Sequence, residues 1–292
     1  LGGYVKIAGM IDESMDKEQM AKPPKSWEFR SKPSWQRLIV MLGGVTINFI
    51  LAIIIYIGLA YSYGSSSISL DSIDDGFVIT NPILTEAGFK TGDKIITVDG
   101  QELETYSDLR KSIIGSTYYQ VERDGNIFEI QLPVDFLGKL SSSEDMSSFE
   151  FRMPFIIQSV SEESLNKDYD IRQGDRIVSV NGQETKYVDQ LVPLLEQNTN
   201  RTIEVELLRD SFRIKKTLNV NEDGKLGIMH GATVQNMVDL GLMKVSNNSY
   251  SFLQSIGVGT NNFVSFMGFY FDQLVAIFNP STGAYKGLGG FI

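Results

Sequence analysis

From Leu38 to Tyr61 the chain reads LIVMLGGVTINFILAIIIYIGLAY, without one charged residue. About 20 consecutive apolar residues cross the hydrocarbon core of a bilayer, and this run is longer. A cleaved signal peptide has a shorter apolar core close to the N-terminus and a small-residue cleavage site. The run here is long and internal, so it reads as a true transmembrane helix. Lys17, Lys22, Lys25, Arg30, Lys32 and Arg37 stand before it, whereas the first charges after it are Asp71, Asp74 and Asp75. By the positive-inside rule the N-terminal flank is cytoplasmic and the part that follows Asp71 to Asp75, where a repeat lies, is outside. Trp27 and Trp35 before the run, and Tyr61 and Tyr63 at its far end, suit the two interfaces.

Two polar features interrupt the run. Asn48 lies near its middle, where an amide is costly unless it finds a partner. Gly43 and Gly44 are small enough to let a second helix approach closely. Helix packing with one interhelical hydrogen bond accounts for these residues, and so does a polar group beside a buried site.

The second constraint is a repeat. TGDKIITVDGQ at 91–101 returns as QGDRIVSVNGQ at 173–183, identical at six of eleven positions. Each copy sits in the same order of elements. A β-type run comes first, GFVIT or PFIIQSV, and a polar turn with a short helix follows, at 81–93 or 163–175. Next come a strand, KIITV or RIVSV, and a turn at Asp99-Gly100 or Asn181-Gly182, a strong two-residue turn signal. An amphipathic helix follows, TYSDLRKSI or KYVDQLVPLLEQ. Two hairpin strands close each copy. Each repeat is large enough to fold as a small αβ unit. The Ser-rich stretch at 138–148 reads as the join between them.

The net charge of −10 argues against a nucleic-acid partner. No cysteine is present, so disulfides are excluded and no compartment is selected. In the C-terminal part Phe263, Met267, Tyr270, Leu274 and Ile277 recur at helical spacing. That run is too short and polar to span, so an amphipathic helix on the membrane surface or against the repeats is expected, with core packing as the alternative.

The repeated core resembles the PDZ domain in the circular order of bacterial proteases. Gly92, Asp93, Asp99 and Gly100 carry the resemblance in the first copy, and Gly174, Asp175, Asn181 and Gly182 in the second. PDZ domains take an extended peptide as an added strand, although no glycine-rich carboxylate loop precedes either first strand. A pair of spacers without ligand is the other reading of these units.

The whole arrangement resembles the site-2 protease family of the bacterial regulator of sigma-E protease type. LGGYVKIAGM at 1–10, WEFRSKPSWQRLIVMLGGVTINF at 27–49 and the tail from YSFLQSIGVGTNNFV to GLGGFI carry this. Val45 departs from the family's common proline. Family catalysis uses HExxH on one membrane helix and an LDG aspartate on another, which hold Zn²⁺. This sequence contains neither motif, and its one histidine is His230.

The resemblance therefore implies an α+β membrane protein: one transmembrane helix, two tandem circularly permuted PDZ domains and a C-terminal amphipathic helix. Boundaries are expected at 1–36, 37–62, 66–137, 149–222, 223–250 and 251–292. The chain would be the substrate-handling middle of a zinc intramembrane protease in a bacterial inner membrane, inactive alone. Its zinc ligands would lie outside the chain, and its PDZ domains on the periplasmic side. Gly2, Gly3, Tyr4 and Val5 would form a strand that holds the substrate extended, and Asn48 would bond its unwound backbone. The partners implied are the lipid bilayer, a transmembrane substrate protein and peptide tails at the PDZ domains, which would gate access. A membrane-anchored tandem-PDZ clamp without catalysis is the competing reading. A periplasmic serine protease would need a Ser-His-Asp set that a single histidine outside any protease domain does not supply.

Overall fold

The structure, a computed structural model, describes residues 7–8, 23–143 and 147–287. Gly2, Gly3, Tyr4 and Val5 lie outside the described residues. The chain divides into two compact units, Leu1–Gly64 with Ser249–Met267 and Ser65–Asn248 with Gly268–Ile292.

The first unit is built on α1, Ser34–Tyr63. Pro33 precedes it, and Gly64 ends it at φ 68°. It is the one helix among the described residues long and apolar enough to cross a membrane. Leu38, Ile39, Met41, Ile47 and Ile54 are exposed along it, far more apolar surface than a water-facing helix carries. Among the described residues no atom lies within 4 Å of a Cβ added at Gly43 or Gly44.

The close approach on α1 occurs elsewhere. The C-terminal helix, Phe252–Phe278, lays Ser255, Gly259 and Phe263 against it, one buried residue per turn. A Cβ on Gly259 would sit 2.5 Å from the Ile57 backbone. Phe252 meets Tyr61, and Phe263 meets both Tyr56 and Phe49, so this part of the helix runs antiparallel to α1. Sequence spacing put the helix on the membrane surface or against the repeats. The small residues at 255 and 259 give the first half of the helix a face that fits another helix, and from Gly268 onward it belongs to the same compact unit as the repeats.

The second unit holds both repeats. It opens with β1, Ser65–Ile68. The first repeat follows: β2 (Phe77–Val78), α2 (Pro82–Ala87), β3 (Lys94–Val98), α3 (Tyr106–Ser112), β4 (Tyr118–Arg123) and β5 (Asn126–Gln131). Helix α4, Phe136–Ser141, covers the start of the stretch expected to be a plain join, because Phe136 and Leu140 have a core to enter. Strand β6, Glu150–Phe151, then pairs back onto β2. The core is aromatic, with Phe77, Phe89, Tyr119 and Phe149 all fully buried.

The second repeat runs β7 (Ile157–Val160), β8 (Arg176–Val180), β9 (Gln183–Glu184), α5 (Val188–Gln197), β10 (Thr202–Arg209), β11 (Phe212–Asn219) and β12 (Ile228–His230). Strand β12 returns to pair with β7 as β6 does with β2. Its core is aliphatic: Ile157, Ile177, Leu191, Ile203, Leu207 and Leu218. The short helix expected within 163–175 is absent. Ser164 and Asn166 there donate to the Leu226 carbonyl at 2.8 and 2.9 Å, and Asn166 also donates to the Asn219 carbonyl at 2.8 Å. These long-range bonds hold a turn in place of the local helix.

After α6 (Val234–Asp239), β13 (Val245–Asn248) pairs antiparallel with β1 and closes the unit; the C-terminal helix is therefore α7. Strand pairing carries each repeat past 137 and past 222, to β6 and β12.

Candidate functional site: two returning strand edges

The two repeats share one hydrogen-bond plan. The Phe77 N–H donates to the Asp93 carbonyl and the Gly92 N–H to the Phe77 carbonyl; Ile157, Asp175 and Gly174 repeat both bonds. Asp93 is 1% exposed and takes a fork of two bonds from Arg123 at 2.6 and 2.7 Å. Asp175, also 1% exposed, takes the same fork from Arg209 at 2.7 and 2.7 Å. Burial alone would raise the Asp175 carboxyl, but the Arg209 guanidinium and the Arg172 amide hold it below its ordinary value. Asp99-Gly100 and Asn181-Gly182 all have positive φ, the geometry of a two-residue hairpin turn. The Asp99 carboxylate also accepts from Thr117 and Tyr118, and the Asn181 side-chain oxygen from Glu204. All eight motif residues thus build the fold and lie away from the pairing edges.

The chemistry available to a ligand sits at β6 and β12. Because Phe77 bonds to Asp93 and Gly92, Val78 is the residue that faces Glu150, and the backbone of Phe149 and Phe151 turns outward. In the second repeat the Gly227 carbonyl and the Gly231 N–H bond inward to Ser161 and Ile156. Ile228 and His230 therefore point their backbone groups outward. Leu226-Gly227 leads into this strand, and the N–H groups of both have no hydrogen-bond partner among the described residues. Gly227 has φ +66°, and a Cβ there would lie 2.6 Å from the Ser164 hydroxyl. Beside it opens a cavity of about 210 Å³, walled by Ser161, Glu163, Asn221 and Lys225. In the second repeat the glycine beside an outward edge stands late, between β11 and β12, rather than before the first strand.

The edges differ in what faces them. Tyr106, the first residue of α3, donates its hydroxyl to the Phe149 carbonyl at 2.6 Å and lays its ring 4.3 Å from that of Phe151. Val188 is the first residue of α5. His230 packs its ring 4.2 Å from Phe155, and burial lowers its pKa below the ordinary 6.5.

A cluster joins the repeats. Arg152 donates to Asp189 and to the Asp75 carbonyl, while the Asp75 carboxylate accepts from Tyr187 at 2.6 Å and pairs with Lys186. Burial would raise the Asp75 carboxyl, but Lys186 and Tyr187 together bring it below its ordinary value. Asn48, on α1, is exposed.

The chain is thus a mixed α/β protein with one helix long and apolar enough to cross a membrane and two outward strand edges. The family model described as peptidase family M50 matches residues 1–292, and the chain belongs to that family, the site-2 proteases. A Helicobacter pylori protein assigned to the zinc metalloproteases is 29% identical over 148 residues, 50% of this chain and 40% of its own. Metalloprotease MmpA of Caulobacter vibrioides is 30% identical over 142 residues, 43% of this chain and 35% of its own. The chain thus spans about two fifths of the length of the curated relatives it matches. The PDZ domain of an SdrC-like protein from Listeria innocua aligns with 27% of this chain and 96% of its own, at 15% identity and a TM-score of 0.25.

The relatives' names imply zinc. Among the described residues no group of three or more His, Cys, Asp or Glu could hold a metal ion. These residues do not fit a zinc centre.

Proposed function

We propose that this chain is the substrate-handling part of a zinc-dependent intramembrane protease that cuts transmembrane segments. The zinc ligands lie outside the chain, which is inactive alone. The family match over residues 1–292 carries the reading. The repeats act as circularly permuted PDZ domains on the periplasmic side of a bacterial inner membrane and gate access to the active site. An extended tail adds to β12 through the outward groups of Ile228 and His230, with its end at the Leu226 and Gly227 amides and the Lys225 ammonium. Strand addition exposes backbone that a helix keeps bonded within itself, which is what hydrolysis requires. Gly2 to Val5 and Asn48 hold the opened substrate within the membrane.

The test uses the full-length protein in vesicles with a fluorogenic transmembrane substrate. Cleavage should stop on zinc chelation and return on zinc addition, and residues 1–292 alone should cleave nothing. Turnover that survives zinc removal, or turnover by this segment alone, would overturn the assignment.

A further inference from the structure

Tyr106 and Val188 hold the same place in the two repeats. Each is the first helical residue after an N-cap, Thr105 or Tyr187, and each stands three residues before a buried leucine, Leu109 or Leu191. Likewise Phe149 corresponds to Ile228 and Phe151 to His230, because Phe77 pairs with Phe151 where Ile157 pairs with His230. The same outward strand edge therefore faces a tyrosine in one repeat and a valine in the other.

We infer that Tyr106 closes the first edge to peptides, so that the tandem repeats offer one peptide site, at β12, rather than two. This rests on the reading of both repeats as peptide-pairing modules. A peptide adding to β6 would need the Phe149 carbonyl, and the Tyr106 hydroxyl already occupies it at 2.6 Å. It would next meet Phe151, whose ring lies 4.3 Å from that of Tyr106, with Phe77 stacked behind at 5.9 Å. The tyrosine is thus anchored by a hydrogen bond and by two rings, and it covers both outward positions of the edge. Val188 has no hydroxyl to offer Ile228 and no ring to lay on His230. The loops agree: Ser148 stands in the first repeat where Gly227 stands in the second. Tyr106 is in effect a built-in ligand, and the first repeat serves as a rigid partner for the second.

The experiment counts sites on the full-length protein in detergent micelles. The probe is a fluorescein-labelled heptapeptide of alternating Ser and Val that ends in Val with a free carboxylate. Wild type should bind one peptide, Tyr106→Val two, and His230→Pro none, since it removes an outward N–H and leaves the inward bonds intact. Val188→Tyr copies the closure into the second repeat without touching the first, and should weaken binding at least tenfold. Two sites in wild type, one site in Tyr106→Val, or unchanged affinity in Val188→Tyr would each overturn the closure. Should Tyr106→Val fail to fold, the wild-type count and the Val188→Tyr affinity decide. No binding by wild type or any variant would instead overturn the reading of the repeats as peptide modules.

Discussion

Arg152 reaches across from the end of the first repeat and donates to Asp189 on the first turn of α5, with both side chains largely buried at 13% and 16% exposure. The same guanidinium lies over the Tyr187 ring at 4.6 Å and donates to the Asp75 carbonyl at 3.1 Å. One arginine therefore touches residues of both repeats. It ties the end of the first repeat to the start of α5 in the second.

Arg152→Ala should uncouple the repeats. Removing one partner of a buried pair costs roughly 3–5 kcal/mol, and the residual exposure places this case at the lower end. Calorimetry on the full-length protein should resolve the unfolding of the repeats into two transitions in the variant and one in wild type. A single transition at an unchanged temperature would mean that the cluster is ornamental to the coupling.

The paired forks make a comparative test. Arg209 is served by two carboxylates, Asp175 and, at 3.1 Å, Asp170. Arg123 has one carboxylate, Asp93, plus the Gly88 carbonyl. Asp93→Asn should therefore destabilise more than Asp175→Asn, by about 1 kcal/mol or more. The pH dependence has a definite sign. The folded Asp175 carboxyl titrates below its ordinary 3.8, so its contribution is complete above that pH and fades as the pH falls through the folded value. Denaturant melts at pH 7 and pH 3 should show a smaller difference for Asp175→Asn than for wild type. An equal difference would place the acid sensitivity elsewhere.

Gly259→Leu should part α7 from α1. Even a single Cβ there would lie 2.5 Å from the Ile57 backbone, and backbone cannot swing aside as a side chain can. Overpacking of this kind typically costs about 1–3 kcal/mol. The chain has no cysteine, so Phe49→Cys and Phe263→Cys can be introduced as a reporter pair; their rings are 5.7 Å apart in the wild type. Disulfide formation between them should fall at least fivefold with Gly259→Leu added. Undiminished cross-linking would refute the packing.

Much of this was legible in the sequence, and the parts that were not share a cause. The turns at Asp99-Gly100 and Asn181-Gly182 and the apolar helix were readable because their signals are local. The resemblance to site-2 proteases was carried by short motifs, and the family match bears it out. The Tyr106 bond to Phe149 links residues 43 positions apart, and nothing near either predicts the other. Leu226-Gly227 has no local signal either, because its place is set by the pairing of β12 with β7, about seventy positions earlier. Local pattern predicts a helix within 163–175 because it does not register that Asn166 bonds to residues more than fifty positions later. Gly259 carries the close approach between α7 and α1, and its partner Ile57 lies about two hundred positions earlier, beyond the reach of any local pattern.

The orientation of the span is open to direct labelling. A cysteine replacing Ser66, in β1, should react with an impermeant reagent added outside sealed cells, and one replacing Lys25 should not. The charge asymmetry around α1 motivates this expectation. Reaction at Lys25→Cys alone would invert the topology and place the repeats in the cytoplasm.

Asn48 separates packing from chemistry. It lies exposed near the middle of α1, where an amide costs more than a leucine. In the full-length protein Asn48→Leu should therefore keep or raise stability. It should nevertheless slow cleavage of a membrane-embedded substrate if Asn48 bonds the opened substrate backbone. Such a backbone has unpaired groups that water cannot reach, and an amide offers donors and an acceptor to either kind. Leaving one buried partner unsatisfied costs about 1–3 kcal/mol, roughly a five- to hundredfold loss of rate. A role in helix packing gives the opposite pattern: less folded protein, with normal turnover per folded molecule. The deciding quantity is cleavage rate divided by folded protein, for wild type and Asn48→Leu. Equal values would make Asn48 a packing residue, and substrate holding within the membrane would then fall to the strand proposed at Gly2 to Val5.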